Sequence, residues 1–446
     1  MSDYNYPYKD AAFILENLVD FDALATASGL EEVNTELAMA VLEEANRFAV
    51  EVVAPLNVVG DRQGAALEAD GVRETEGFAE AYRQYVDGGW AGLGFPEEYG
   101  GQGMPKVLFT ATEEIWQSSN LGFSLCSLLT HGAVEALLTH GTDELKAAYL
   151  PKLVSGEWTG TMNLTEPQAG SDVGALRTKA EPNGDGTYAI TGQKIYISWA
   201  DNDFTQNVCH LVLARLPDGV AGTKGISLFM VPKFIPDAEG IPGERNSLRV
   251  VSLEHKMGLH GSPTAVMEYD GATGWMVGPE NGGMAAMFTM MNNARLGVGT
   301  QGIGVAEAAY QHALAYAMDR KQGRAGGSGA IVEHADVRRM LATMKAETFA
   351  ARAIALANAV AIDMAQATGD PAWGARAALL TPISKAFGTD VGCEVSAMGI
   401  QVHGGMGYSR ELPVERYYRD ARITEIYEGT SEIQRLVIAR GEMGLR

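Results

Sequence analysis

The chain has 446 residues, 46% of them hydrophobic and 20% charged, with a formal net charge of -22. That length suggests about three domain-sized units with a large interior, and the composition is that of a folded globular protein. So acidic a chain has no basic footprint for nucleic acid or for an anionic membrane surface.

Residues 1–33 read as an acidic lead-in with short apolar pieces, a small helical extension. From residue 35 to about 53, apolar side chains recur at helical spacing: Leu37, Val41, Leu42, Ala45, Phe48, Ala49 and Val52. Helical patterns follow near 78–87, 105–118, 123–139 and 143–153, divided by Gly-rich turns such as 99–103. Character changes near Trp158. Short β-branched or alternating segments follow at 188–191, 194–198, 208–214 and 226–231, with a turn signal at 183–186. Residues 236–244 read as an exposed loop. From Gly283 the pattern is helical again, over about 283–321, 332–367 and 373–399, and Ala-rich helices joined by short loops argue for a bundle. The expected units are an extension 1–33, a helical domain 34–158, an antiparallel β domain 159–280 and a helical bundle 281–446.

Cys126, Cys209 and Cys393 are too few and too scattered for a disulfide framework or a CxxC metal site. The eight His residues show no ligand spacing, and no nucleophile motif is present, so no metal is expected. The N-terminus carries neither a signal nor a transit pattern, and no apolar run reads as a membrane span. The expected location is the cytoplasm.

Gly297-Val298-Gly299-Thr300-Gln301-Gly302 matches GxGxxG. That fingerprint binds dinucleotides only where a strand turns into a helix, whereas residues 284–295 form a Met-rich helical run. The small residues are expected to let helices approach closely. Further on, Glu428 stands beside Gly429 just before a helix start. Ser431 and Gln434 have capping-box spacing, Ile433, Leu436, Val437 and Ile438 give an apolar face, and Gly441 can end the helix. An acid there either reaches into a cleft or merely complements the helix dipole.

Three stretches decide between these: Ile426-Tyr427-Glu428-Gly429-Thr430-Ser431, Leu164-Thr165-Glu166-Pro167-Gln168-Ala169-Gly170-Ser171-Asp172 and Gln193-Lys194-Ile195-Tyr196-Ile197-Ser198. In order and spacing they resemble the signatures of the acyl-CoA dehydrogenase family, over nearly the whole chain from about Asn34. The resemblance implies an α+β multidomain fold, with an N-terminal helical domain, a central antiparallel β-barrel and a C-terminal four-helix-type bundle, and FAD between barrel and bundle. It implies α,β-dehydrogenation of an acyl-CoA thioester, with Glu428 removing the α-proton and flavin N5 taking the β-hydride. The Glu428 N–H and a flavin hydroxyl would bind the thioester carbonyl. Some branches carry the base on a bundle helix; the matching residue here is Ala294, which cannot serve.

For FAD, the resemblance points to the hydroxyls of Thr165 and Ser198, to Met162, Leu164, Tyr196 and Ile197 beside the ring, and to Gly170 and Ser171 at the pyrophosphate. Arg320, Gln322 and His334 match adenosine contacts reaching a neighbouring subunit, received there by Gln401, Val402, Gly404 and Gly405. Thr430 and Glu432 also fall on flavin positions. The substrate is matched by Ser171, Asn292 and Arg295 for CoA, by Gly429 close to the thioester, and by Tyr427, Ser124 and Leu128 around the acyl chain. Electron-transfer flavoprotein is the implied acceptor and a homotetramer or homodimer the implied assembly. Stretches at 213–217, 222–227 and 254–264 look like the branch acting on 3-methylthiopropionyl-CoA. Members of that branch usually extend well past the Glu428 helix, so a short-chain acyl-CoA stays open. An acyl-CoA oxidase, a lyase-like relative, and a flavin-bearing stress protein that binds nucleic acid are the alternatives, the last opposed by the missing basic patch.

Overall fold

The structure, a computed structural model, describes residues 4–30, 32–237, 239–323 and 327–444. The lead-in forms α1 (Tyr8–Asn17) and α2 (Phe21–Ala27), whose Ile14, Leu15 and Phe21 enter the main hydrophobic core. α3 (Thr35–Phe48) begins at Asn34, whose side chain accepts from the Leu37 N–H, and runs through a π turn (Ala49–Val53) into α4 (Pro55–Gln63). A hairpin of β1 (Ala66–Glu68) and β2 (Gly71–Arg73) precedes α5 (Phe78–Asp87), α6 (Lys106–Ser119), α7 (Leu121–His140) and α8 (Asp143–Ser155). Neither α4 nor the hairpin was expected from the sequence. Pro55 sits at the first helical position of α4, where its missing N–H costs nothing.

The central domain holds β3 (Trp158–Asn163), β4 (Lys179–Pro182), β5 (Tyr188–Ser198), β6 (Asn207–Ala214), β7 (Ser227–Pro232), β8 (Phe234–Pro236), β9 (Pro242–Arg245), β10 (Leu248–Leu253) and β11 (Thr264–Val277). Its main sheet runs β3-β6-β7-β11-β5-β4, with β10 also on β11. One expectation is corrected here: the sheet is mixed, since β3 pairs with β6 in parallel. The Thr178–Ala180 edge meets Arg215, just past β6, through two backbone bonds. Pairing with β11 and β4 carries β5 as one strand through Gly192, where the sequence suggested two pieces. Of the expected loop at 236–244, Pro236 ends β8 and 242–244 belong to β9, leaving an exposed connection between them in which residue 238 lies outside the described residues.

The bundle comprises α9 (Gly283–Asp319), α10 (Ala335–Thr368) and α11 (Pro371–His403), then α12 (Val414–Ala421) and α13 (Ser431–Glu442). The GxGxxG stretch lies inside α9, where it meets α11: a Cβ on Gly302 would stand 2.0 Å from the Gly388 carbonyl oxygen. It is a helix-crossing contact, not a nucleotide turn. α7 and α10 are long and apolar enough to span a membrane, contrary to the sequence reading, but in α7 89% of that stretch is buried inside the protein and in α10 50%. The apolarity of α7 reflects packing on nearly all sides.

α12 delivers the chain to the Glu428 turn and is held by both other domains. Arg419 pairs with Asp61 of α4 at 2.8 Å, and the buried Asp420 carboxylate accepts the Leu259 N–H at 2.7 Å.

Candidate active site

The turn between α12 and α13 is built to hold one carboxylate. Glu428 has φ 56° and Gly429 φ 86°, two left-handed residues in succession. A non-Gly residue pays for that conformation, so something must hold it. Arg295 of α9 donates through Nε to the Glu428 carbonyl at 3.4 Å, and Gln434 of α13 donates through Nε2 to the carbonyls of Glu428 and Gly429. A side chain at Gly429 would meet Gln434 Nε2 at 2.6 Å, so glycine is required there twice over. The expected capping box is shifted by one residue: Thr430 caps α13 by accepting the Ile433 N–H, while Ser431 donates to Asp390 and Gln434 is committed to the turn. Gly441 lies inside α13 rather than ending it. Among the described residues the Glu428 N–H donates to no group.

Burial pushes the Glu428 carboxyl up to about 7, against the opposing pull of Arg295 and Lys385. Lys385, on α11, is fully buried and its Nζ has no hydrogen-bond partner among the described residues. Burial draws its ammonium down to about 8, with Glu428 as the largest influence in the other direction. The sequence reading missed Lys385, although a lone Lys inside the apolar run of α11 was the available signal. Tyr427 donates to Gln301 Oε1 at 2.5 Å, which anchors the other side of the turn to α9.

The second cluster lies on the central sheet. Ile195 N–H donates to the Thr165 carbonyl, which brings the β3-proximal stretch of Met162, Leu164 and Thr165 beside Tyr196, Ile197 and Ser198. Tyr196 sits at a bulge in the β5–β11 pairing with φ 60°, and its ring is 62% exposed. The connection rests on a buried pair that the sequence reading treated only as motif letters. Lys194 Nζ binds Glu166 at 2.9 Å and the Leu164 carbonyl at 3.0 Å. Burial works against the Glu166 carboxylate, but the Lys194 ammonium, the Thr178 hydroxyl and the Arg177 N–H together hold it down to about 2.

The remaining expected residues are spread further. Gly170 and Ser171 are exposed on the loop after β3. Arg320 and Gln322 lie just past the end of α9, where His334 approaches the Gln322 carbonyl at 2.9 Å. Gln401, Val402, Gly404 and Gly405 close α11, joined to the α9 end by a stacked Tyr316–His403 pair. Asn292 is exposed and accepts from Arg295, whose guanidinium is only 9% exposed and faces the turn. Ser124 is spent on its own helix, donating to the Leu121 carbonyl, whereas Leu128 lines a cavity between α6, α7 and α9. Glu432 is exposed in the first turn of α13.

Comparison with known proteins decides the family. Models of the acyl-CoA dehydrogenase N-terminal, middle and C-terminal domains match residues 35–157, 161–272 and 281–443. The chain belongs to the acyl-CoA dehydrogenase family. It is 48% identical to 3-methylmercaptopropionyl-CoA dehydrogenase of Ruegeria pomeroyi, over 97% of this chain and 75% of that protein. Butyryl-CoA dehydrogenase from Megasphaera elsdenii superposes with a TM-score of 0.77 at 28% identity, covering 93% of this chain and 99% of that one. A structure described as the electron transferring flavoprotein of Acidaminococcus fermentans matches at the same TM-score and identity, over 91% of this chain and 97% of the other.

The protein is therefore an FAD-dependent oxidoreductase acting on acyl-CoA. Its residues fit the cofactor: among the described residues, the Thr165 and Ser198 hydroxyls have no hydrogen-bond partner and flank the exposed Tyr196 ring. Free hydroxyls beside an open aromatic face suit a flat heterocycle with polar edges.

Proposed function

We propose that Glu428 is the base that removes the α-proton of a short-chain or 3-methylthiopropionyl-CoA thioester, giving the 2-enoyl-CoA. The observation that carries this is a carboxyl raised to about 7 on a strained turn whose own N–H is free. A base tuned near neutrality is the stronger acceptor for a carbon-bound proton, and the free N–H can take the thioester oxygen as charge develops on it. The pair acts on one carbonyl from two sides. FAD, held by the Thr165 and Ser198 hydroxyls with Tyr196 against the ring, supplies the acceptor for the β-hydride. The proton leaves to Glu428 as the α,β double bond forms, so both hydrogens are accounted for.

The thioether substrate is favoured by the name and 48% identity of the Ruegeria relative. Ser171 and Asn292, both exposed, take the CoA portion, while Arg295 steadies the turn. Gly170, Arg320, Gln322, His334, Gln401, Val402, Gly404, Gly405, Thr430 and Glu432 complete the flavin contacts, some across a subunit boundary in a homotetramer or homodimer. Electron-transfer flavoprotein in the cytoplasm receives the electrons.

The test is anaerobic mixing of the purified flavoprotein with a panel of acyl-CoAs. Rapid bleaching by a short or thioether-containing thioester, lost by at least about a thousandfold in Glu428→Gln with FAD retained, is the expected result. A Glu428→Gln variant that bleaches at the native rate moves the base elsewhere.

A further inference from the structure

Gln434 uses its side chain in a way that helix packing does not explain. It is fully buried in the first turn of α13. Its Nε2 reaches back to the Glu428 carbonyl at 3.1 Å and the Gly429 carbonyl at 3.2 Å, while its Oε1 has no hydrogen-bond partner among the described residues. The two converging carbonyls fix the orientation of the amide, since the reverse orientation would set oxygen against both. A buried acceptor left unpaired is destabilising, whereas an apolar side chain of the same shape would not be. Gln434 is therefore a poor choice for packing α13, and its one use is the turn.

That turn needs holding. Glu428 and Gly429 are both left-handed, and a side-chain-bearing residue keeps such a conformation only where its surroundings impose it. Among the described residues, three side-chain bonds oppose relaxation. The one from Arg295 is the longest, at 3.4 Å, and the same guanidinium also bonds Asn292. Gln434 supplies the other two and grips the carbonyls on both sides of Gly429. The backbone at Glu428 sets two directions at once, that of its carboxylate and that of its free N–H. A rotation there would turn both away from a common thioester.

We propose that Gln434 is a positioning residue for the base. It holds the Glu428–Gly429 backbone left-handed, so that carboxylate and N–H act on one thioester; without it the turn relaxes and proton transfer slows. This rests on the reading of Glu428 as the base.

The experiment follows anaerobic flavin bleaching of the FAD-loaded enzyme, per mole of bound flavin, over a range of butyryl-CoA and 3-methylthiopropionyl-CoA concentrations. Gln434→Met keeps the approximate shape and removes the donor. It is expected to slow bleaching at saturation by about a hundredfold, the scale of a misplaced reacting group, with the half-saturating concentration little changed. Arg435→Met removes the 2.6 Å contact of α13 with Asp390 of α11 without touching the turn, and should keep the native rate within about twofold. Should Gln434→Met lose its flavin, Gln434→Glu, nearly the same size and with at most one proton to share between two carbonyls, is read in its place. Bleaching at the native rate in the Gln434 variant, a loss confined to the half-saturating concentration, an equal loss in Arg435→Met, or loss of flavin from both Gln434 variants overturns the proposal and leaves the Glu428 reading intact. A Glu428→Gln variant that bleaches at the native rate, or a native protein that neither thioester bleaches, overturns both.

Discussion

Of the charged groups around Glu428, Arg295 and Lys385 are the two that favour its carboxylate form. Arg295 is also tied to the Glu428 carbonyl and to Asn292, whereas the Lys385 ammonium bonds to nothing among the described residues and acts through space. The sign of the pH dependence follows. Only the carboxylate can accept a proton, so kcat/KM should rise about tenfold per pH unit below 7 and level off above it. Replacing Lys385 by Met removes one opposing cation and should carry the midpoint of that rise to about pH 8. A pH–rate profile measured on both proteins checks this, and a midpoint that stays near pH 7 would deny Lys385 a part in tuning the base. Glu428 was legible from the sequence through its motif. Lys385 was not, because its proximity arises only where α11 crosses beneath the turn, some forty residues away along the chain.

At the scale of elements, the β5 strand and the loop after β3 are joined through the Glu166–Lys194 pair. The folded carboxyl lies near 2, below its ordinary 4.5, so this stabilisation is fully present above pH 4.5 and is lost as pH falls toward 2. Glu166→Gln leaves a fully buried Lys194 without its counter-ion, which should cost about 3–5 kcal/mol. The expected result at pH 7 is a lowered Tm together with weaker FAD retention, read from a melt and from flavin absorbance after dialysis. An unchanged Tm would show that the pair is dispensable. Long helices such as α9, α10 and α11 could be read closely from the sequence, since their packing repeats every turn. α4, the β1–β2 hairpin and the parallel β3–β6 pairing could not be. The parallel pairing joins strands distant in sequence, and α4 and the hairpin, though locally bonded, are tied to Ser119 through Asn57 and to Asp201 through the Val72 N–H.

Across the whole molecule, the N-terminal extension is part of the core. Asp10 of α1 reaches Arg352 of α10, which is fully buried between Glu114 of α6, at 2.6 Å, and Glu307 of α9, at 2.7 Å. Arg352→Met would leave two carboxylates facing each other in the interior. The denaturation midpoint should fall by the equivalent of about 3–5 kcal/mol, with the reaction of any surviving folded protein little changed. A native-like midpoint would show that water or rearrangement replaces the guanidinium. The order helices, sheet, helices followed from composition and periodicity alone, because burial must repeat at 3.6 or at 2 residues whatever the neighbours are. The Glu428 turn and the proposed ring-side residues were singled out by short motifs whose spacing is local. What only the tertiary structure decided is which of the polar residues are buried without partners. Lys385 is the clearest case: its isolation exists only because helices far apart in the chain close over it and exclude water.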